Sequence, residues 1–411
     1  MERQRAARRG LAAALLVTAL GAVPAGGQRA PREPPRVLVS LENPLPLDRP
    51  DEVVELSWAA LRQRLPGLDP ARVRAVDAGT GAELPTQPID SDGDGRTDQL
   101  LVLVGLSPSQ VRQVAVEPVA PPTRFEPRAY ARHIDDRDDV AWESDRIAYR
   151  IYGQGLWRQE NLHSSGIDVW VKRTRDLIVD RWYARGHDSY HQDSGEGADF
   201  YTVGASLGAG GDGIWRDGKL HRAENFRSWR ILAAGPLRAV FELSYDPFDA
   251  GGLRVSETRR FVMDAGQNLF REETTFHTDS AARATPLTYA IGFVKHADGQ
   301  VASSSWTAGG RVWLSTWQPV EKANGGHGEL GLGLLLDRAS LVELKETNDH
   351  VLALATARPE QPAVHYIGAG WTASGDFDDV RSWWRVLDVL AARLASPIKV
   401  TVLPRAPTAI R

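Results

Sequence analysis

Cysteine is absent from the 411-residue sequence. This absence excludes disulfide bonds, thiolate catalysis, iron–sulfur clusters and zinc sites built on cysteine. The chain also lacks a P-loop lysine motif and has more acidic than basic residues, with a formal net charge of −4. An acidic protein is a poor ligand for phosphate backbones, so no nucleic-acid partner is expected.

No apolar run in the sequence is long enough to span a bilayer. The chain begins with an arginine-rich segment, continues with a short apolar segment from Leu11, and reaches small residues near Ala25. This order predicts a secretory signal peptide over residues 1–25 and a Pro- and Arg-rich linker over residues 26–35. We therefore expect an exported protein, periplasmic or extracellular, that does not span the membrane.

The periodicity of the remaining sequence predicts a mainly β protein with two domains. Short β-rich segments separated by turns, from 36 to 122, are typical of a small β-sandwich. Longer alternating segments, from 126 to 405, indicate a large antiparallel sandwich, and Arg254–Met263 with Asn268–His277 reads as a long hairpin. One helix is expected from Val380 to Leu394, with Asp376 or Asp378 as its cap.

An acidic loop in the small domain has the composition of a calcium-binding turn. Its alternating carboxylates provide several oxygens on one short segment, as a hard cation requires. Position twelve of the loop is Leu101, so the loop is not a complete EF-hand. A structural calcium ion is expected here, and a solvated acidic turn is the alternative. The expected metal ligands are Asp90, Asp92, Asp94 and Asp98.

The stretch from Tyr183 to Gly213 is the strongest candidate for an active site. It is dense in side chains that exchange protons near neutral pH or bind metals, and its glycines favour a bent loop over a helix or strand. Loops between apolar strands commonly carry function, although a solvated loop without chemistry is the alternative. The candidate catalytic residues are Tyr190, His191, His187, Tyr201 and Glu196, and Asp199 is a candidate for substrate or metal binding.

A second candidate segment is the strand that contains Arg150. Its period-two pattern places Ile147 and Ile151 on the buried face and Arg150 on the other face. A guanidinium in a cleft would pair with a substrate carboxylate, whereas an ordinary surface salt bridge is the alternative. Arg158 in the following loop is a second candidate for binding substrate.

Several motifs in sequence order resemble the family called domain of unknown function 4861. They are the segment Trp142–Tyr152, Val203-Gly204 with the glycine-rich run that follows, the segment Arg230–Arg238 and the loop Asp90–Asp98. The resemblance covers residues 36–405. The chain departs from the pattern before the Glu-Ser pair, where Asp138-Asp139 replaces a His-Gly pair and His133 is the nearest histidine.

The resemblance implies a large antiparallel β-supersandwich, similar to galactose-mutarotase and polysaccharide-lyase domains. It also implies a carbohydrate-active enzyme, and we expect β-elimination, as a lyase or dehydratase, on an oligosaccharide that contains uronic acid. In this scheme Arg150 or Arg158 neutralises the uronate carboxylate, Tyr190 or His191 is the base, and Tyr201 or His187 is the acid. The alternatives are a glycoside hydrolase with Glu196 and Asp199 as paired carboxylates, and a sugar-binding protein without catalysis.

Overall fold

The computed structural model describes residues 35–121, 123–279, 282–296, 300–307, 309–321 and 325–404. The predicted signal peptide and almost all of the predicted linker lie outside these residues, so export remains a prediction. The described residues form one compact unit, and its architecture is mainly β, as the sequence predicts. Among the described residues, no helix combines the length and the apolar character that a membrane crossing requires.

The small sandwich consists of a five-stranded and a three-stranded antiparallel sheet. The faces that these two sheets turn toward each other enclose an apolar core of valines and leucines, to which Trp58 contributes. The strands are β1 (Val37–Glu42), β2 (Arg49–Ser57), β3 (Val73–Asp77), β4 (Glu83–Leu84), β5 (Thr86–Ile89), β6 (Gln99–Leu106) and β7 (Val111–Pro118), with α1 (Trp58–Arg64) after β2. The C-terminal strand β27 (Lys399–Val402) pairs with β1, so the end of the chain completes this sandwich rather than the large one.

The large sandwich packs a nine-stranded sheet against two five-stranded sheets. One five-stranded sheet contains β8 (Ala129–Ile134), β9 (Asp139–Ser144), β10 (Ala148–Tyr152), β11 (Asp168–Lys172) and β12 (Gly197–Asp199). The other contains β13 (Ala209–Arg216), β14 (Lys219–His221), β20 (Leu287–Val294), β24 (Leu341–Glu346) and β25 (His350–Ala357). A parallel bridge between Ile167 and Gly208 joins these two sheets side by side.

The nine-stranded sheet faces both of them across an aromatic core. It contains β15 (Ser228–Ala234), β16 (Arg238–Ser244), β17 (Phe248–Asp249), β18 (Arg254–Asp264), β19 (Leu269–Thr278), β21 (Val301–Trp306), β22 (Arg311–Pro319), β23 (Glu329–Asp337) and β26 (Pro362–Trp371). The predicted hairpin is present as β18 and β19. Its alternating burial explains why the sequence pattern predicts these strands correctly.

The predicted C-terminal helix is present as α5 (Val380–Ala395). Its cap is Asp379, which accepts a hydrogen bond from the Ser382 backbone N–H, and not Asp376 or Asp378. Asp376 instead forms ion pairs with Arg146 and Arg175. The buried face of α5 packs on the nine-stranded sheet through an apolar cluster that includes Trp383.

Three further helices lie next to the five-stranded sheet of β8 to β12, where the sequence predicted only loops. They are α2 (Gly155–Glu160), α3 (Val179–Arg185) and α4 (His187–Tyr190). Gly186 separates α3 from α4. Its φ of +92° is a conformation that an L side chain rarely adopts, so a glycine suits this turn. Part of the predicted bent loop is therefore helical, and α3 and α4 pack on the outer face of β9, β10 and β11.

Candidate functional site

A buried group of charged and hydroxyl side chains lies on the outer face of the five-stranded sheet of β8 to β12. We call it the Arg150 cluster. Strand register creates it, because Arg150 on β10 is paired with Asp168 on β11, and side chains at paired positions point to the same face. Its members are Arg150, Asp139, Asp168, Asp199, Tyr152 and Tyr190.

Arg150 is the centre of this cluster. Its guanidinium lies 2.7 Å from the carboxylate of Asp168 and 3.2 Å from that of Asp199. It also donates to the hydroxyl oxygen of Tyr190 at 3.0 Å. The sequence correctly places Arg150 on the face opposite Ile147 and Ile151, but the side chain is buried and its hydrogen bonds are made within the protein. This arrangement suits a positioning role better than direct contact with substrate.

Three carboxyl groups share the one guanidinium of Arg150, and this changes their protonation. Burial, opposed in part by the charge of Arg150, raises the pKa of Asp139 to about 7. Burial and the neighbouring Asp168 also raise the pKa of Asp199 well above its ordinary value. Since not all three groups ionise at neutral pH, the cluster holds protons close to the edge of the site.

His191 borders the cluster and is open to solvent, with 24% of its side chain exposed. Its Nδ1 lies 3.3 Å from the backbone oxygen and 3.5 Å from the carboxylate of Asp199. Burial and the charge of Arg150 lower the pKa of His191 below its ordinary value. The imidazole is therefore neutral at pH 7, and with Nδ1 directed at Asp199 its Nε2 can accept a proton.

Tyr190 lies beside His191, with 4.8 Å between the two ring centroids. Its hydroxyl oxygen accepts hydrogen bonds from Arg150 at 3.0 Å and from Arg137 at 3.2 Å. Burial raises the pKa of Tyr190, while the two guanidinium groups act in the opposite direction. A phenol between two cations is a suitable proton donor, because the cations stabilise the phenolate that remains.

The structure brings together some of the predicted site residues and separates others. Glu196 pairs with Arg181 at 2.6 Å and Arg185 at 3.1 Å, which leaves it outside the cluster. His187 is exposed beside Glu160 and Asp188, although its ring lies 4.8 Å from that of His191. The buried hydroxyl of Tyr201 makes no hydrogen bond to any described residue, and its ring lies 4.8 Å from that of His296. Arg158 lies on the exposed side of α2.

Sequence reasoning missed Arg137, Asp139, Asp168 and Tyr183. Tyr183 on α3 donates to Asp139 at 3.1 Å, and Arg137 precedes β9 with 20% of its side chain exposed. Asp168 could have been found from the alternation of β11, which places it on the same face as Trp170 and Lys172. Arg137 gave no such signal, because its position depends on how the turn before β9 folds over α4.

The predicted calcium loop brings three of its four aspartates together. Carboxylate oxygens of Asp90, Asp92 and Asp98 lie within 4.8 Å of one another, whereas Asp94 is outside this group. Asp90 accepts hydrogen bonds from the backbone of Gly93 at 2.7 Å and Gly95 at 2.8 Å. The turn is therefore stabilised by its own side chains, and calcium binding remains a prediction.

Two cavities, of about 610 and 620 Å³, lie outside the Arg150 cluster. They are grooves beside α5, between the small sandwich and the nine-stranded sheet, and arginine and acidic side chains line them. Neither contains a residue of the Arg150 cluster or a histidine. General acid–base chemistry at neutral pH is therefore better supported at His191 and Tyr190 than in these larger grooves.

The pKa of Asp139 leads to a testable pH dependence of stability. A carboxyl group whose folded-state pKa is raised stabilises the fold below its unfolded pKa, and this stabilisation is lost as pH rises through the folded pKa. From pH 4 to pH 8, the free energy of unfolding of the wild type should fall relative to Asp139→Asn by roughly 2 to 4 kcal/mol. The asparagine still accepts the Tyr183 hydrogen bond. Urea titrations across this pH range measure the difference, and parallel pH profiles for the two proteins would contradict it.

Sequence comparisons identify a family and a relative that the chain resembles over most of its length. The family model described as "Domain of unknown function (DUF4861)" matches residues 41–400. Uncharacterized protein P7 of Formosa agariphila is 27% identical over 382 residues, which are 89% of this chain and 93% of that protein.

Solved structures give a more distant likeness. A protein in glycosyl hydrolase family 38 from Enterococcus faecalis aligns with a TM-score of 0.51 at 10% identity, over 90% of this chain and 48% of that one. An alpha-mannosidase from Enterococcus faecalis V583 aligns with a TM-score of 0.49 at 10% identity, over 90% and 46%. The chain spans about half the length of these solved structures. At this identity the first likeness shows the fold alone.

Proposed function

This chain belongs to the DUF4861 family, and from that premise we propose that it is a carbohydrate-active enzyme that eliminates across a C–O bond of a uronic-acid-containing oligosaccharide. The observation that carries the proposal is the pair formed by His191 and Tyr190. A neutral imidazole directed by Asp199 lies next to a phenol that accepts hydrogen bonds from two guanidinium groups. Base, acid and cation are the three components that β-elimination requires.

His191 is the proposed base. With Nδ1 facing Asp199, Nε2 removes the proton on the carbon next to the uronate carboxylate. The electrons of that C–H bond form a C=C double bond, and the bond to the β-oxygen breaks. Tyr190 is the proposed acid, and its proton passes to the leaving oxygen. Each proton removed is thus matched by one delivered, and the product carries an unsaturated uronate.

The substrate carboxylate needs a cation, because its negative charge opposes loss of the neighbouring proton. Arg150 was the predicted partner, but its guanidinium already pairs with the carboxylates of Asp168 and Asp199 and donates to Tyr190, so its proposed role is to position these groups. Arg137 is partly exposed and also contacts Tyr190, at 3.2 Å. We therefore assign the carboxylate to Arg137, which would exchange its ion pair with Glu160 at 3.1 Å for the substrate.

Ultraviolet absorbance tests the proposal directly. The purified chain is incubated with uronic-acid oligosaccharides that differ in sugar and linkage. A rising absorbance from the conjugated C=C of an unsaturated uronate is the expected result. New reducing ends without that absorbance would instead establish hydrolysis, and binding without any product would favour the sugar-binding alternative.

A further inference from the structure

A second polar cluster lies inside the core of the large sandwich, apart from the Arg150 cluster. It joins Asp212 on β13 with Glu272 on β19 and His365 on β26, and all three side chains are fully buried. Glu272 and His365 are direct partners in the β19–β26 register, while Asp212 comes from the facing sheet. One ligand atom from each lies within 4.8 Å of those of the other two.

Several polar atoms of this cluster have no hydrogen-bond partner among the described residues. They are Oδ1 of Asp212, Oε2 of Glu272 and both ring nitrogens of His365. Nε2 of His365 lies 3.6 Å from Oε2 of Glu272, which is too long for a hydrogen bond. A buried polar atom without a partner costs about 1 to 3 kcal/mol, and more when charged, so several in one place call for a bound group.

The charges around the cluster also favour a bound cation. Glu257 on β18 is also buried, with neither carboxylate oxygen hydrogen-bonded to a described residue. Arg259 binds Glu272 at 2.5 Å and lies 3.7 Å from Asp212. Three carboxyl groups therefore face one guanidinium, and two negative charges remain if all three ionise. One divalent cation would neutralise them. Protons are the other means of compensation, and burial raises the pKa of both Asp212 and Glu257.

We propose that Asp212, Glu272 and His365 bind a divalent transition-metal ion, with Zn²⁺ as the best match. The imidazole ligand favours zinc-like ions over calcium or magnesium, and two carboxylates with one histidine form a donor set that zinc accepts. Zinc bonds of about 2 Å hold tetrahedral ligands roughly 3.4 Å apart, so the three side chains need only contract slightly around the ion.

The position of this site indicates a structural role. Asp212 belongs to one face of the sandwich, and Glu272 and His365 belong to the other. The sheets are already joined here by the hydrogen bond from Thr274 to Asp212, at 2.5 Å, and by the ion pair of Arg259 with Asp212, at 3.7 Å. A metal ion would join the two sheets through one ligand on β13 and two on the nine-stranded sheet, and its binding free energy would appear as stability of the folded chain.

Metal analysis and thermal unfolding of the full chain test this proposal. After incubation with Zn²⁺ and dialysis, the wild type should retain about one ion per chain and unfold at a higher temperature than the chelator-treated protein. His365→Gln should weaken zinc binding by at least about 10- to 100-fold. His277→Gln removes a partly exposed histidine of β19 and should leave zinc content unchanged.

A double variant, Asp90→Asn with Asp92→Asn, tests whether the acidic loop binds the zinc instead. This variant should still bind zinc. If His365→Gln does not fold, the wild type loaded with Co²⁺ gives the answer, since nitrogen and oxygen ligation produces visible absorbance that Zn²⁺ displaces. A wild type that retains no metal and unfolds at the same temperature with and without Zn²⁺ would overturn the proposal. Protons would then be what neutralises the cluster.

Discussion

Replacing His191 with glutamine is expected to lower the rate of elimination by about 10²- to 10⁴-fold, the usual contribution of a positioned general base. Glutamine keeps a hydrogen-bonding side chain of similar length but cannot accept the substrate proton. The loss should appear in kcat, with KM changed little, because the proposed contact with the substrate carboxylate comes from Arg137. Initial rates of ultraviolet absorbance on an active oligosaccharide measure the effect.

His277→Gln is the matched control, because it changes a partly exposed histidine of β19 that pairs with Glu360 at 2.7 Å and lies outside the Arg150 cluster. It should retain the wild-type rate. The pH profile adds a second readout: because burial lowers the pKa of His191, the rate of the wild type should stay high to a lower pH than a histidine of ordinary pKa would allow. An unchanged rate in His191→Gln would remove this residue from the mechanism and leave Tyr190 as the remaining candidate base.

The strands were predictable because burial alternates along them. In β18 and β19 every second residue is buried, and the sequence pattern is the same. The short helices were not predictable, because α3 and α4 are too short to show a helical period and are stabilised by packing on β9, β10 and β11. The partner of β27 was equally hidden, because its pairing with β1 joins residues from opposite ends of the chain.

The candidate site was predictable in part for a related reason. Tyr190, His191 and Asp199 lie close together in the sequence, and Arg150 could be assigned to one strand face. Their common location with Asp139 and Asp168 depends on strand register, which local sequence does not contain. The alternation did hold one unused signal, since Glu257 and Arg259 have the same parity as Phe261, and Glu272 that of Phe270. Charged residues on a core-facing parity indicate a buried polar cluster.

The second large effect concerns the buried ion pair of Lys172 on β11 and Glu143 on β9, which holds α3 in place. Both side chains are fully buried, and Nζ of Lys172 lies 2.8 Å from the carboxylate of Glu143. The same carboxylate accepts hydrogen bonds from the backbone N–H groups of Ile178 and Val179, at the start of α3. Glu143 thus anchors the helix that precedes Tyr190 to the sheet.

Lys172→Met is expected to reduce the free energy of unfolding by about 3 to 5 kcal/mol, because it leaves the Glu143 carboxylate buried without its counter-ion. Adding Glu143→Gln should recover part of that loss, since the amide is neutral and its oxygen can still accept from Ile178 or Val179. Lys399→Met is the control, because the exposed pair of Lys399 and Glu42, at 2.7 Å, should contribute less than about 1 kcal/mol.

Urea denaturation of the three variants beside the wild type measures these differences. The two lysine pairs have nearly the same length, so a large gap between their variants isolates burial as the cause. Equal losses from Lys172→Met and Lys399→Met would contradict this account. The double variant also distinguishes an effect on stability from an effect on the site. If its regained stability restores elimination, Lys172 acts only by holding α3. If activity stays low in a stable protein, the charge of the pair is needed to position Tyr190.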